Sequence, residues 1–273
     1  MSLQNTNITS KKYKKLSIQV SLTGFSFCCF DTLNNTITSF NEVSFDPSQK
    51  IAKIEDLYHD NFKKFAELKD TYDEIIVIHN NNLSTFVPSA LFDEHYLGSY
   101  LQYTTKVFET DFFTYDQISK YEMNSVYIPY VNINNFLIDQ VGSFDYKHAN
   151  SILIEKVLEA SKNNDDKKMI VNFNVGHFEI IVVQNQKLLL FNSFEYQTPT
   201  DFIYYLLFTA EQLGLNPESF PLELLGTIEK NDAYYAIAYK YIRNVSFLDV
   251  STLQEKNNFS TAQNQKHYIL FQS

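Results

Sequence analysis

Apolar and polar positions along this chain fall into two similar blocks. In LSIQVSLTGFSFCCFDTLNNTITSFNEVSF (Leu16 to Phe45), two apolar runs flank Thr23 and Gly24, and Asn34 and Asn35 then turn the chain into a third run. That spacing predicts a three-stranded meander. MIVNFNVGHFEIIVVQNQKLLLFNSFEY (Met169 to Tyr196) repeats the phrase, with Gln184, Asn185 and Gln186 in its second turn.

Each meander is followed by helical and strand patterns. DPS (Asp46 to Ser48) opens a helix with Ile51, Ile54, Leu57, Phe62, Phe65 and Leu68 at near-helical spacing. The strand EIIVIHN comes next, then TFVPSALF leads into a helix around Asp93 to Tyr103. Ser125–Val131 reads as a strand, Asn134–Val141 as a helix, and Asn150–Ser161 as a helix with Ile152, Leu153, Val157 and Leu158 on one face. After the second meander, TPTD supplies Thr198 as N-cap, Pro199 at the first helical position and Asp201 reaching back to the cap. LELLG predicts a strand, Ala233–Tyr241 a helix and HYILFQS a closing strand. Each half therefore reads as three strands, a helix, a strand and a helix. Such a repeat predicts two lobes facing across a cleft, divided near residue 145 into 1–145 and 146–273.

Composition narrows the function classes. Hydrophobic residues make up 44% and charged ones 20%, a globular balance. Six glycines in 273 residues speak against glycine-rich phosphate cradles. Lys+Arg 22 against Asp+Glu 32 gives a net charge of −10, which disfavours nucleic acid and anionic membranes. The basic KKYKK at Lys11 to Lys15 is read as a solvated tail. Cys28 and Cys29 are adjacent on one strand and point to opposite faces, so they do not bridge. With no metal-type Cys/His spacing, no signal-peptide pattern and no long apolar run, the expected setting is the cytoplasm, without membrane insertion.

The repeat resembles the duplicated ribonuclease-H-like, actin-like ATPase fold. IVNFNVGHFEIIVVQNQKLLLF is similar to that superfamily's phosphate-binding hairpin, and the strand ending at Gly226 falls where the family carries an adenosine-contacting glycine pair. FVPSALF, LLLFNSF, TPTDFIYYLLF and LELLG further resemble an uncharacterised bacterial family placed in that superfamily. In active members two hairpin aspartates hold magnesium waters. Here those positions match Gln19 and Asn172, and the hairpin glycines match Ser21 and Asn174. A threonine position is Phe178, and the glycine pair becomes Gly226 and Thr227. Gly24 and Gly176 stand at the hairpin turns.

Amides carry no charge to hold a divalent cation, so the resemblance implies an actin-like scaffold without its ATPase machinery. Gln19, Ser21, Gly24, Asn172, Asn174, Gly176, Gly226 and Thr227 are the expected, degenerate cleft positions. The primary expectation is a non-catalytic scaffold with an unidentified protein partner, no cofactor and no nucleic acid. The alternative keeps ATP and magnesium, or another small ligand, in the cleft of a sensor or ATPase. His177 is read as a solvent-facing turn residue, and no carboxylate pair of catalytic spacing stands out.

Overall fold

The computed structural model describes residues 11–46 and 53–273. The first meander is β1 (Lys14–Ser21), β2 (Gly24–Asp31) and β3 (Thr36–Ser44). After α1 (Ile54–Phe62) come β4 (Glu74–His79), β5 (Ser84–Pro88), the short α2 (Leu97–Leu101), β6 (Thr114–Ile118) and β7 (Met123–Tyr127). Then follow α3 (Val131–Val141), β8 (Asp145–His148) and α4 (Ala149–Ala160). The second block runs β9 (Lys168–Phe173), β10 (His177–Gln184), β11 (Lys187–Glu195), α5 (Pro199–Gln212), β12 (Pro221–Gly226), α6 (Ala233–Tyr241) and β13 (Asn244–Phe247). It ends in α7 (Ser251–Gln254), α8 (Thr261–Lys266) and α9 (Tyr268–Phe271).

The duplication is exact in strand order. One sheet runs β3-β2-β1-β4-β8 and the other β11-β10-β9-β12-β13. In both, the meander pairs antiparallel and the two later strands add in parallel. A third, antiparallel sheet, β5-β7-β6, is inserted into the first lobe.

Packing follows from strand alternation. Leu16, Ile18, Val20, Phe25 and Phe27 face one side of the first sheet with Tyr58 and Phe62 of α1 and Ile133 and Leu137 of α3. In the second lobe Met169, Val171, Phe178 and Ile180 meet Phe202 and Leu206 of α5. The opposite faces share a third core, in which Cys28, Ile78, Ile170, Ile181 and Leu225 close around α4 and α9. This shared core explains why α4 is buried nearly all round rather than on one stripe.

Local signals at the helix ends behave as their chemistry requires. Thr198 and Asp201 form the reciprocal capping box of α5, and Pro199 occupies its first turn. Three expectations are corrected. HYILFQS is not a strand: Tyr268–Phe271 is a turn of helix, buried between the lobes. A four-residue apolar run suits a buried helix as well as a strand, since it is too short to show a period. The helix around Asp93 to Tyr103 is only a 3-10 turn plus five α residues. The strand placed at Ser125–Val131 ends at Tyr127, since Val131 already opens α3. The helix start at DPS and Ile51 lies outside the described residues apart from Asp46, and α1 is described from Ile54.

Two glycine positions are set by close approach, Gly24 against the Val43 carbonyl and Gly226. Gly226 has φ +89°, and a Cβ there would sit 2.1 Å from the Phe173 carbonyl oxygen. Gly226→Ala should therefore lower stability by about 2 kcal/mol through left-handed strain plus displacement of β9. Chemical denaturation reads this as a lower midpoint with unchanged slope, and an unchanged midpoint would refute the close-approach account.

Candidate ligand cleft between the lobes

The two meander hairpins face each other across a cleft of about 250 Å³. Its lining combines the β1–β2 turn, Asn80, Asn81 and Asn82 after β4, Asn172 to Val175 at the end of β9, and Thr227 after β12. Glu42 of β3 and Gln265 to Ile269 of the C-terminal helices close it. Parallel strands place their C-terminal ends here, as open α/β sheets do at ligand sites.

Of the eight sequence positions, Gln19, Ser21, Gly24, Asn172, Asn174 and Thr227 line the cleft, whereas Gly176 and Gly226 are not among its lining residues. Ser21 is committed to its own turn: its hydroxyl donates to the Gly24 carbonyl at 2.9 Å and accepts from the Thr23 N–H at 3.2 Å. Thr227 is likewise engaged, its N–H and hydroxyl both donating to the Phe173 carbonyl. Gly176 takes φ +84° in an open turn and accepts from Tyr196 N–H.

The two asparagines are oriented by a residue that the sequence reading passed over. Glu179 on β10 is fully buried, and its Oε2 accepts from Asn172 Nδ2 at 3.0 Å and from Asn174 Nδ2 at 2.9 Å. Asn174 turns its own Oδ1 outward to accept from Asn80 Nδ2 at 3.1 Å, a hydrogen bond between the lobes across the cleft. His177 Nε2 stands 3.2 Å from Glu179 Oε1, an ion-pair contact without hydrogen-bond alignment. Burial alone would push the imidazole down, but the Glu179 carboxylate outweighs it and raises His177 above its ordinary value. So His177 is no solvent-facing turn residue. Its side chain is only 13% exposed and lies against the buried Glu179 carboxylate. The signal was present in the sequence, since residues 177 and 179 lie two apart and share one strand face.

Behind the cleft wall sit two neutral histidines in register, His79 on β4 and His148 on β8. His79 Nδ1 accepts from Tyr130 N–H at 3.2 Å, and burial brings the ring down to about 4. His148 Nδ1 accepts from Asn150 N–H at 3.1 Å while Nε2 donates to Asn81 Oδ1 at 3.1 Å. Burial brings His148 to about 3. On the opposite wall, hydrogen bonding to His267 and Lys266 holds the Glu42 carboxyl at about 2.

These groups do not suit a magnesium nucleotide. The two positions that would face a hydrated cation carry uncharged amides, Gln19 and Asn172. The carboxylate nearest to Asn172 points inward and is consumed by two amides and an imidazole. The carboxylate that does line the cleft, Glu42, is paired with Lys266 at 2.7 Å. Among the described residues no group of three or more His, Cys, Asp and Glu converges as a metal site. The lining thus combines carboxamides and hydroxyls with the Glu42–Lys266 ion pair and the imidazoles of His177 and His267.

The fold has close counterparts. A Bacteroides thetaiotaomicron VPI-5482 protein of actin-like ATPase fold and unknown function superposes with a TM-score of 0.82, at 24% identity over 98% of both chains. A structure described as the PilM–PilN type IV pilus biogenesis complex matches with a TM-score of 0.59, at 11% identity over 94% of this chain and 95% of that one. These likenesses establish the two-lobed actin-like fold. No curated protein matches the sequence. The family model "Protein of unknown function (DUF3822)" matches residues 3–245. The chain is a member of that family, built on the actin-like ATPase fold.

Proposed function

We propose that this protein is a non-catalytic member of the actin-like fold that works through protein contacts, as a scaffold in the cytoplasm. One observation carries the reading: Asn172 and Asn174 both donate to the buried Glu179 carboxylate, and Asn174 also accepts Asn80 across the cleft. A phosphate group at that point would have to break the interlobe hydrogen bond while approaching a buried negative charge from 0% exposed Glu179. The two buried free cysteines suit a reducing compartment.

The test is thermal unfolding with and without millimolar ATP and magnesium. A ligand at 100 times its Kd adds about 2.7 kcal/mol, which at this size moves Tm by roughly 5 °C or more. We expect no magnesium-dependent shift. A clear rise with ATP and magnesium together would sink the scaffold reading. It would favour the alternative, a nucleotide or small-ligand sensor, in which Lys266 and His267 of the cleft lining are the cations that face the ligand.

A further inference from the structure

The inserted sheet β5-β7-β6 has no counterpart in the second lobe, and the chain around it carries a surface of its own kind. Among the described residues 17 large apolar side chains are exposed, and six of them fall in the 25 residues from Leu91 to Tyr115. Tyr96 is 60% exposed and Tyr103 85%. Single exposed apolar side chains are ordinary, whereas a cluster this dense marks a contact surface. Local chemistry gathers the rings on one face. Tyr96, Tyr100 and Tyr103 stand at helical spacing along α2 and its two ends, and α2 buries Leu101 on its inner side. The Tyr100 hydroxyl donates to the Leu91 carbonyl at 2.8 Å and accepts from the Asp93 N–H at 2.9 Å, which folds this loop against the helix. Phe92 stacks on Tyr100 with ring centres 6.1 Å apart and meets Tyr115 of β6 at 4.7 Å. These rings are held before any partner arrives, so little side-chain freedom is lost on binding.

The charge beside these rings is one-sided. Leu91 to Tyr115 holds Asp93, Glu94, Glu109 and Asp111 against the single Lys106, a net of −3 with histidine neutral. Among the described residues no lysine or arginine is ion-paired with any of the four acids. Asp93 meets the exposed His95 at 2.9 Å, and Glu94 meets the Tyr115 hydroxyl at 3.5 Å. Lys106 places its Nζ 4.9 Å from the centre of the Phe108 ring, the way a cation seats on an open aromatic face.

We propose that this tyrosine face of the insert docks a polypeptide segment rich in arginine and lysine. The partner's cations cover the open tyrosine rings and pair with Glu94 and Asp93, arginine better than lysine because its plane stacks on the rings. Phosphate-bearing partners are repelled by the same acids, and a second copy of this chain, itself at −10, brings charge of the same sign. The proposal rests on the scaffold reading, to which it adds the partner's chemistry and the face that meets it.

Selection of phage-displayed random peptides, about a dozen residues long, against the full chain tests it by the chemistry the surface selects. Enriched peptides should carry an excess of arginine and lysine, and synthetic versions should bind less tightly as salt rises. Tyr96→Ser with Tyr103→Ser should raise their Kd about tenfold or more, and so should Glu94→Lys. These side chains are exposed, so an unchanged melting temperature shows that each variant is folded. Replacing the peptide's arginines by lysine should weaken binding to the wild type but far less to the tyrosine variant, which separates ring stacking from attraction to the net charge of the whole chain. No enrichment, enriched peptides without the cationic excess, or a Kd indifferent to either variant overturns the proposal. A magnesium-dependent rise with ATP would sink the scaffold reading by itself, and these Kd values would be unmoved by it.

Discussion

At pH 8, Asn172→Asp should unfold roughly 6–12 °C below the wild type, a loss of about 3 kcal/mol at this chain length. The substitution restores, on paper, the acidic residue that the fold's active members carry at this point. Here it meets Glu179. The Asn172 amide donates to Glu179 Oε2 at 3.0 Å, so an aspartate exchanges a donor for a second carboxylate beside a fully buried one. Like charges at that separation cannot both ionise in a dry site, and one must take up a proton. Protonation in the folded state becomes cheaper as pH falls, so the deficit should shrink towards pH 5 and grow again towards pH 8. A variant as stable as the wild type at pH 8 would show that Glu179 does not impose the amide. Paired with Glu179→Gln, the aspartate should be tolerated better than alone, since the two effects share one contact and are not additive.

The second large effect is acid sensitivity. His79 and His148 are buried and neutral, at about 4 and about 3 against an ordinary 6.5. Their folded values lie below the unfolded ones. The stability they contribute is therefore fully present above pH 6.5 and is lost as pH falls through about 4 and about 3. Between pH 6 and pH 4 the unfolded chain binds up to two more protons than the folded one, a slope of about 2.7 kcal/mol per pH unit. Melting temperature should accordingly fall steeply from pH 6.5 downward. His148→Asn should halve the slope, even if it starts from a less stable protein. A flat profile between pH 6.5 and 4 would contradict the burial of these rings. Two other groups titrate elsewhere or with opposite sign. The Glu42 contribution is lost only between 4.5 and about 2. His177, raised by its carboxylate, contributes fully below its unfolded value and loses that contribution as pH climbs through its folded one.

The repeat was legible in the sequence because both meanders pair local strands through tight turns, and turns announce themselves by Gly, Asn and Gln between apolar runs. Strands β8 and β13 were not. DYKH and NVSF are four residues each, mixed in polarity, and become strands only through parallel partners distant in sequence. The C-terminal YILF was ambiguous for the opposite reason, being wholly apolar and too short to show a period. At the site, alignment with a hairpin pattern located the six lining positions, Gln19 to Thr227, but said nothing of what holds them. Glu179 interrupts the apolar run FEIIVV. A charged residue within a strand buried on both faces is the informative exception, and its partner His177 was one side-chain repeat away.

The core shared by the lobes bears on how the chain is made. Cys28 and Phe30 of β2 and Phe40 of β3 are covered by α9 and its neighbours, with Phe40 and Phe271 rings 5.2 Å apart. Those covering residues are synthesised more than 220 positions after the strands they protect. A nascent chain carrying only the first sheet thus displays an apolar face while the second lobe is still being translated. At synthesis rates of about 5–20 residues per second that interval lasts on the order of ten seconds or longer, ample time for chaperone capture or premature association.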